Sequence, residues 1–347
     1  MTTIKQDMPV LPPRLTLSPM MSAYILLSIS MLALSFAAVL SRMSQVNGIP
    51  SPLVISGRLL TAGLVLTPIV LIYHRDDLKR ITKPELAWSI FAGIWLGVHF
   101  MFIVISLEHT SILISQVVSN TGPLWVALLE TVFLKTKLSS AHYIAIVMTI
   151  LGGLLIALSS TLNIAPDSAG LLVEVSQLET ILSGNIESNA LLGVILAVFA
   201  AIFGSIYAII GRKVRANVPT TPYIWIVFTT GGMVGLVWLI VTGTPVFGHP
   251  QAGYLALLLL ILVPQLIGHS LYNHILKFFP ATLASIYGQS VTVGAGIIAF
   301  LLFAEVPSLL ELVGSFVIMA GVMMAIITPA QKSPPTQDIT TQTSING

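Results

Sequence analysis

The chain has 347 residues, of which 55% are hydrophobic and only 8% charged, with a formal net charge of +2 and no cysteine. A soluble domain carries about a quarter charged residues, so this composition excludes a soluble globule of this length and points to an integral membrane protein. The missing cysteines exclude disulfides, thiolate metal sites and a cysteine nucleophile, and the small net charge argues against nucleic acid as a partner.

The first 20 residues are largely polar and contain four prolines. They lack a short apolar run ending in a small-residue cleavage site, so no cleaved signal peptide is expected. A bilayer core of about 30 Å needs roughly 20 apolar helical residues. Ten segments meet that length: 21–42, 52–73, 86–106, 112–134, 141–160, 190–211, 221–242, 252–276, 281–303 and 308–328. The breaks between them carry proline, glycine or charge, as in NGIPSP, HRDDLKRITKPE and RKVRANVPTTP. Barrel strands of about 9–11 residues with alternating polarity do not fit.

Basic residues fix the expected orientation. Thirteen of the 15 fall on one side of a ten-span arrangement: Lys5, Arg14, Arg75, Lys79, Arg80, Lys83, Lys135, Lys137, Arg212, Lys213, Arg215, Lys277 and Lys332. Only Arg42 and Arg58 lie elsewhere. The positive-inside rule places the basic side and both termini in the cytoplasm, with the plasma (inner) membrane as the expected location. The long loop 161–189 then lies outside. It has four acids and no Lys or Arg. Leu171, Leu172, Val175, Leu178, Ile181 and Leu182 recur in it at helical spacing, which predicts a short amphipathic helix at the interface; a disordered linker is the alternative.

The chain also contains itself twice. LSFAAVLSRMSQVNGIPSP (34–52) aligns with GSIYAIIGRKVRANVPTTP (204–222), placing Arg42 on Arg212 and Pro52 on Pro222, and further on Gly152 falls on Gly321. Each half has five spans, an odd number, so the halves enter the membrane in opposite senses. The expected organisation is a tail 1–20, a first repeat 21–160, the loop 161–189, a second repeat 190–328 and a tail 329–347. The fold class is all-α: a polytopic membrane protein of ten helices in two inverted five-helix repeats. Such repeats are a transporter architecture with its site near the midplane.

Polar residues inside spans mark the candidate site. SQVVSNTGP (115–123) interrupts the fourth span, with Gln116, Asn120 and Pro123 at i, i+4, i+7, and SIYGQSVT (285–292) repeats the spacing with Ser285, Gln289 and Thr292. On continuous helices each set shares one face, and Asn120 and Gln289 reach a similar depth, about 12 Å in at 1.5 Å per residue. An ionisable group inside a span is a functional hypothesis by default. His99 has Trp95 one turn before it, and His269 forms a stripe with Gln265 and Asn273 at i, i+4, i+8. Each histidine could instead bond a neighbouring helix. Arg58 could snorkel outward or face a cavity and bind a carboxylate or phosphate. Arg42 reads as an interfacial anchor, and Glu130, His274 and Lys277 as rim groups. Tyr207 and Tyr272 could line a path or pack as aromatics.

Several patterns carry no chemistry. GAGIIA (294–299) lies mid-span with no preceding strand, and no Walker loop or nucleophile elbow occurs. The histidines lack accompanying acids or thiolates, so no metal is expected, and nothing implies a cofactor or a catalytic residue.

The segments PSPLVISGRLLTAGLVL, TSILISQVVSNTGPLWVALLETVFL, LLGVILAVFAAIFGSIYAIIGRK, PQLIGHSLYNHILKFFPATLASI and LLFAEVPSLLELVGSFVIMAGV resemble the drug/metabolite transporter superfamily in its EamA-like ten-helix branch. The resemblance runs over 22–328 and implies a carrier of small solutes, often an exporter of amino acids or other metabolites, with a central cavity lined by both halves. Many relatives place Glu-Pro in the ninth span near Gln289-Ser290, where this chain has no acid. The Glu that commonly ends the fourth span is replaced around Thr136, while Glu305 retains it in the second half. The expected function is therefore secondary transport by alternating access, with Gln116, Asn120, Gln289, Ser285, Asn273, Trp95, His99, His269 and Arg58 as substrate-binding candidates. A non-transporting scaffold or sensor predicts a dry, packed core instead, and an intramembrane enzyme predicts acids clustered at one membrane face. Partners are a small-molecule solute and the lipid bilayer; oligomeric state stays open, a homodimer included.

Overall fold

A computed structural model of the chain describes residues 19–134, 139–161, 188–275 and 281–328. The helix expected within loop 161–189 and the two tails lie outside these residues, apart from their innermost positions. Among them every regular element is a helix: α1 (Pro19–Val46), α2 (Ser51–Tyr73), α3 (Arg75–Arg80), α4 (Lys83–His109), α5 (Ile112–Ser119), α6 (Gly122–Leu134), α7 (Ser140–Thr161), α8 (Ser188–Val214), α9 (Thr220–Val241), α10 (Gln251–Leu260), a π-helix (Ile261–His269), α11 (Ser270–Ile275), α12 (Ala281–Phe303) and α13 (Leu309–Ile327). Nine rods among the described residues are long and apolar enough to cross a membrane, counting α5–α6 and α10–α11 as one each. The apolar stretch Ser140–Ile156 in α7 completes the expected ten.

Sequence chemistry starts these helices. Thr82 and Glu85 form a capping box on α4, with Thr82 N–H donating to Glu85 Oε2 at 2.8 Å. Ser308 and Glu311 do the same for α13, at 2.9 Å. Such boxes satisfy backbone donors that a helix start otherwise leaves unpaired. Large side chains such as Leu64, Ile72, Leu154, Leu301 and Phe316 are exposed on the outside of the bundle, where they suit lipid.

The packing is reciprocal between halves. α1 runs along the α10–π–α11 rod and α12, while α8 runs along α4 and the α5–α6 rod. The pairs α2–α9 and α7–α13 each join equivalent spans. Both equivalent pairs rest on glycine. A Cβ on Gly152 would stand 2.6 Å from the Gly314 carbonyl oxygen, and one on Gly235 would stand 2.7 Å from the Ser56 backbone nitrogen. Only glycine lets these backbones approach so closely.

Two ends can be told apart. At one, Arg42 on α1 bonds the Thr110 carbonyl and pairs with Glu305 at 3.6 Å, and Glu305 accepts the Ile112 N–H at 2.9 Å. Ser51 and Gln45 meet Glu108 at the same end. At the other, Lys213 sits over Trp88 and Arg215 donates to Asn273 at 3.1 Å. The basic residues Arg75, Lys79, Arg80, Lys83, Arg212, Lys213 and Arg215 flank spans at this second end, the basic end below.

Candidate functional site

The fourth span is not one helix. α5 stops at Ser119, Asn120 is its C-cap with φ −83° and ψ 7°, and α6 starts at Gly122. The expectation that Gln116, Asn120 and Pro123 share a continuous helical face is therefore corrected. Pro123 has no N–H to offer the Ser119 carbonyl, and its ring disfavours helical backbone before it. The polar residues around the break occupy its open backbone groups. Thr121 Oγ1 donates to the Val118 carbonyl at 2.7 Å, Ser205 Oγ on α8 donates to the Gly122 carbonyl at 2.9 Å, and Gln289 Nε2 on α12 reaches the Asn120 carbonyl at 3.4 Å. In hydrocarbon, a broken helix survives only where such groups are supplied from protein or water.

Asn120 also donates through Nδ2 to Thr292 Oγ1 at 2.7 Å, and Thr292 is fully buried. Asn120 and Gln289 occupy equivalent positions in the two repeats, so their direct contact lies on the pseudo-two-fold axis. Gln289 is buried behind Asn120; only Asn120 lines the adjoining cavity.

That cavity has a volume of about 220 Å³. Met31, Leu34, Ala37, Ala38 and Ser41 of α1 form one wall, Arg58 of α2 and Phe100 and Ile103 of α4 a second, and Gln116 and Asn120 a third. His269 and Tyr272 from the rod α10–π–α11, with Gly288 and Val291 of α12, close it from the second half.

Arg58 is 3% exposed and does not snorkel. Its Nε donates to Gln265 Oε1 at 2.6 Å, its Nη2 lies 3.3 Å from His269 Nε2, and its Cζ stands 4.1 Å from the Phe100 ring centroid. A guanidinium only donates, so His269 Nε2 accepts and the ring proton sits on Nδ1. The expected stripe of Gln265 and His269 is real, but it is carried by a π-helix. Pro264 lies inside that segment and cannot donate a backbone bond, and single π turns recur at such interruptions.

The remaining candidates disperse. His99 Nδ1 donates to the Ala200 carbonyl at 2.7 Å, and Trp95 stacks on Phe203 with centroids 5.1 Å apart. Both sit on the α4–α8 seam and neither is among the described lining residues. Asn273 lies toward the basic end, between the His269 carbonyl at 2.7 Å and Arg215. The side chains of Ser285 and Glu130 lie outside the described residues, as do Lys277 and Thr136. Arg42, read as an interfacial anchor, stands near the end of α1 and pairs there with Glu305. Phe100, Met31 and Leu34 escaped the sequence reading because a search for polar residues passes over apolar lining.

Comparison with known proteins agrees with this architecture. The sequence profile of the EamA-like transporter family matches residues 21–158 and 191–327, one copy per five-span half. The chain belongs to the EamA-like transporter family. Sixteen chains of solved structures also match. One, a crystal structure of a protein, superposes with a TM-score of 0.56 at 18% identity, over 88% of this chain and 96% of that one; at that identity it supports the fold alone. No curated protein matches the chain. This EamA-like protein is thus an integral membrane protein of a transporter family.

Proposed function

We propose that the chain is a secondary carrier that moves small polar metabolites across the membrane by alternating access, in the export direction that its resemblance implies. The observation that supports this best is the cavity beside the Asn120–Gln289 contact, where both halves meet at mid-depth. A site on the pseudo-two-fold axis is shared by the two halves, so rocking one against the other exposes it to either side in turn. A scaffold predicts a dry, packed core, whereas this mostly apolar cavity also presents Arg58, Gln116, Asn120 and His269. Both termini face the cytoplasm in this reading, and the loop 161–189 faces out.

Two experiments test it. Purified protein in proteoliposomes is screened for exchange of labelled metabolites, with and without a pH gradient; saturable exchange is expected, and none across the screen would end the carrier reading. Cysteines at Ser168 and Ser344 should label from opposite sides of the membrane, and labelling from one side would overturn the topology.

A further inference from the structure

We infer that the cavity takes a small organic anion, a carboxylate held by the Arg58 guanidinium, and that this solute carries no ammonium group. The inference rests on the carrier reading and narrows its substrate class. Arg58 is buried, yet its contacts are all neutral: the Gln265 amide oxygen, a histidine nitrogen and the face of Phe100. The ion pairs among the described residues lie elsewhere, at Arg42–Glu305, His74–Asp77 and Lys79–Asp76. Among the described residues no carboxylate contacts Arg58. Within the spans the carboxylates are Glu85, Glu108, Glu130 and Glu311, all near helix ends. Even Glu130 is ten residues beyond Asn120, about 15 Å along a helix.

Buried charges are normally paired, because an isolated one costs several kcal/mol of lost hydration. Here the missing counter-charge faces a cavity. A guanidinium has five N–H donors, and those of Arg58 not engaged by Gln265 and His269 remain for a carboxylate, whose two oxygens match the guanidinium fork. Gln116 and the Asn120 side-chain oxygen offer neutral hydrogen bonds to the body of the solute. Met31, Leu34 and Val291 supply apolar surface but no negative charge. An ammonium placed there would meet Arg58 with no acid to offset it, which selects against amines and zwitterionic amino acids.

The test uses purified full-length protein in detergent and matched probes of one shape: 4-methylpentanoate, 4-methylpentanamide, 4-methylpentan-1-amine and leucine, with inorganic phosphate as a second anion. Binding is read by thermal stabilisation and by titration. The acid is expected to stabilise, and the amide, amine and leucine to have little effect. Arg58→Lys should weaken acid binding about tenfold to a hundredfold, the range for a hydrogen bond to a charged group. Arg58→Met should abolish it while leaving the unliganded protein as stable as the wild type or more so, because an uncompensated charge has gone. If Arg58→Met does not fold, the Lys variant and the wild-type panel decide alone. Stabilisation by the amine or by leucine equal to that by the acid overturns the proposal, as does no response to the acid. Phosphate binding without acid binding would also overturn it, by naming the wrong anion. Acid binding without exchange in proteoliposomes would remove the carrier reading and keep the site. Exchange of the amine but not the acid would do the reverse.

Discussion

The fourth and ninth spans occupy equivalent places in the two repeats and meet at the pseudo-two-fold axis, yet they are built differently. The fourth opens its backbone at Asn120–Thr121, while α12 runs unbroken through Gln289 and Thr292. One half exposes main-chain polar groups, and the other answers with side chains: the Gln289 amide reaches the Asn120 carbonyl, and the Thr292 hydroxyl accepts from the Asn120 amide. The third and eighth spans differ in the opposite sense, α4 being a continuous helix and its counterpart carrying the π segment around Pro264. Each half thus holds one irregular rod at the cavity. The lesson is that a duplicated frame keeps its packing while the site at its centre loses its symmetry.

Forcing the halves to match should be most damaging where the regular rod is broken. Thr292→Pro sets proline at the position equivalent to Pro123, inside α12, and should cost about 3 kcal/mol or more, read as loss of folded protein; full stability would mean that the two rods are interchangeable. Next comes Gly152→Ala, whose Cβ would lie 2.6 Å from the Gly314 carbonyl, against 3.0 Å to the Met148 side chain for its counterpart Gly321→Ala. Overpacking costs about 1–3 kcal/mol, so the first should lower the melting temperature clearly more than the second, and Gly153→Ala, with open space around it, should be close to neutral. A reversed order would contradict the packing described.

Smaller effects probe the contact on the axis. Asn120→Leu should weaken solute binding by about 0.5–1.5 kcal/mol, Gln289→Leu, which acts only through Asn120, by less, and the double mutant should lose less than the sum of the two, because they share a bond. Wild-type affinity in all three would show that the amides only tie helices together. The mildest change is Glu305→Gln at the end opposite the basic loops. Its pair with Arg42 is partly exposed, at 21% for each side chain, so the stability cost should be no more than about 1 kcal/mol. If the proposed alternating access holds, the variant should change the accessibility of a cysteine at Ser41 from each side of the membrane more than it changes stability.

How much of this was legible in the residues divides along physical lines. Spans, ends and repeat came from hydrophobic length, one-sided basic residues and a nearly constant offset, all of which are sums over many residues. The Asn120–Gln289 coincidence was legible too, since equivalent positions at mid-span must approach the axis. The break itself was written in Gly122-Pro123, but an i, i+4, i+7 pattern read on an ideal helix conceals it. The choice between outward and inward Arg58 could not be read, because 9 Å or so of depth is within the reach of a snorkelling side chain; Gln265, more than two hundred residues away, decides it. His99 and His269 stand 170 residues apart, the same offset that sets Arg42 on Arg212, yet they differ in use, since a seam and a cavity can begin one residue apart on the same helix, as His99 and Phe100 show.

The contact between α7 and α13 has a historical consequence. Gly152 touches Gly314, and Gly321 touches Ala145; shifted by one repeat, these are the same contact made twice, as in the interface of two identical subunits related by a two-fold axis. A five-span ancestor could have formed it only by pairing with an upside-down copy of itself. Such a chain had to enter the membrane both ways, which a strong excess of lysine and arginine on one side forbids. Seven of the nine described basic residues now stand at one end of the bundle, an asymmetry that suits a joined pair of copies, each held in a single orientation, and not a chain that inserts both ways.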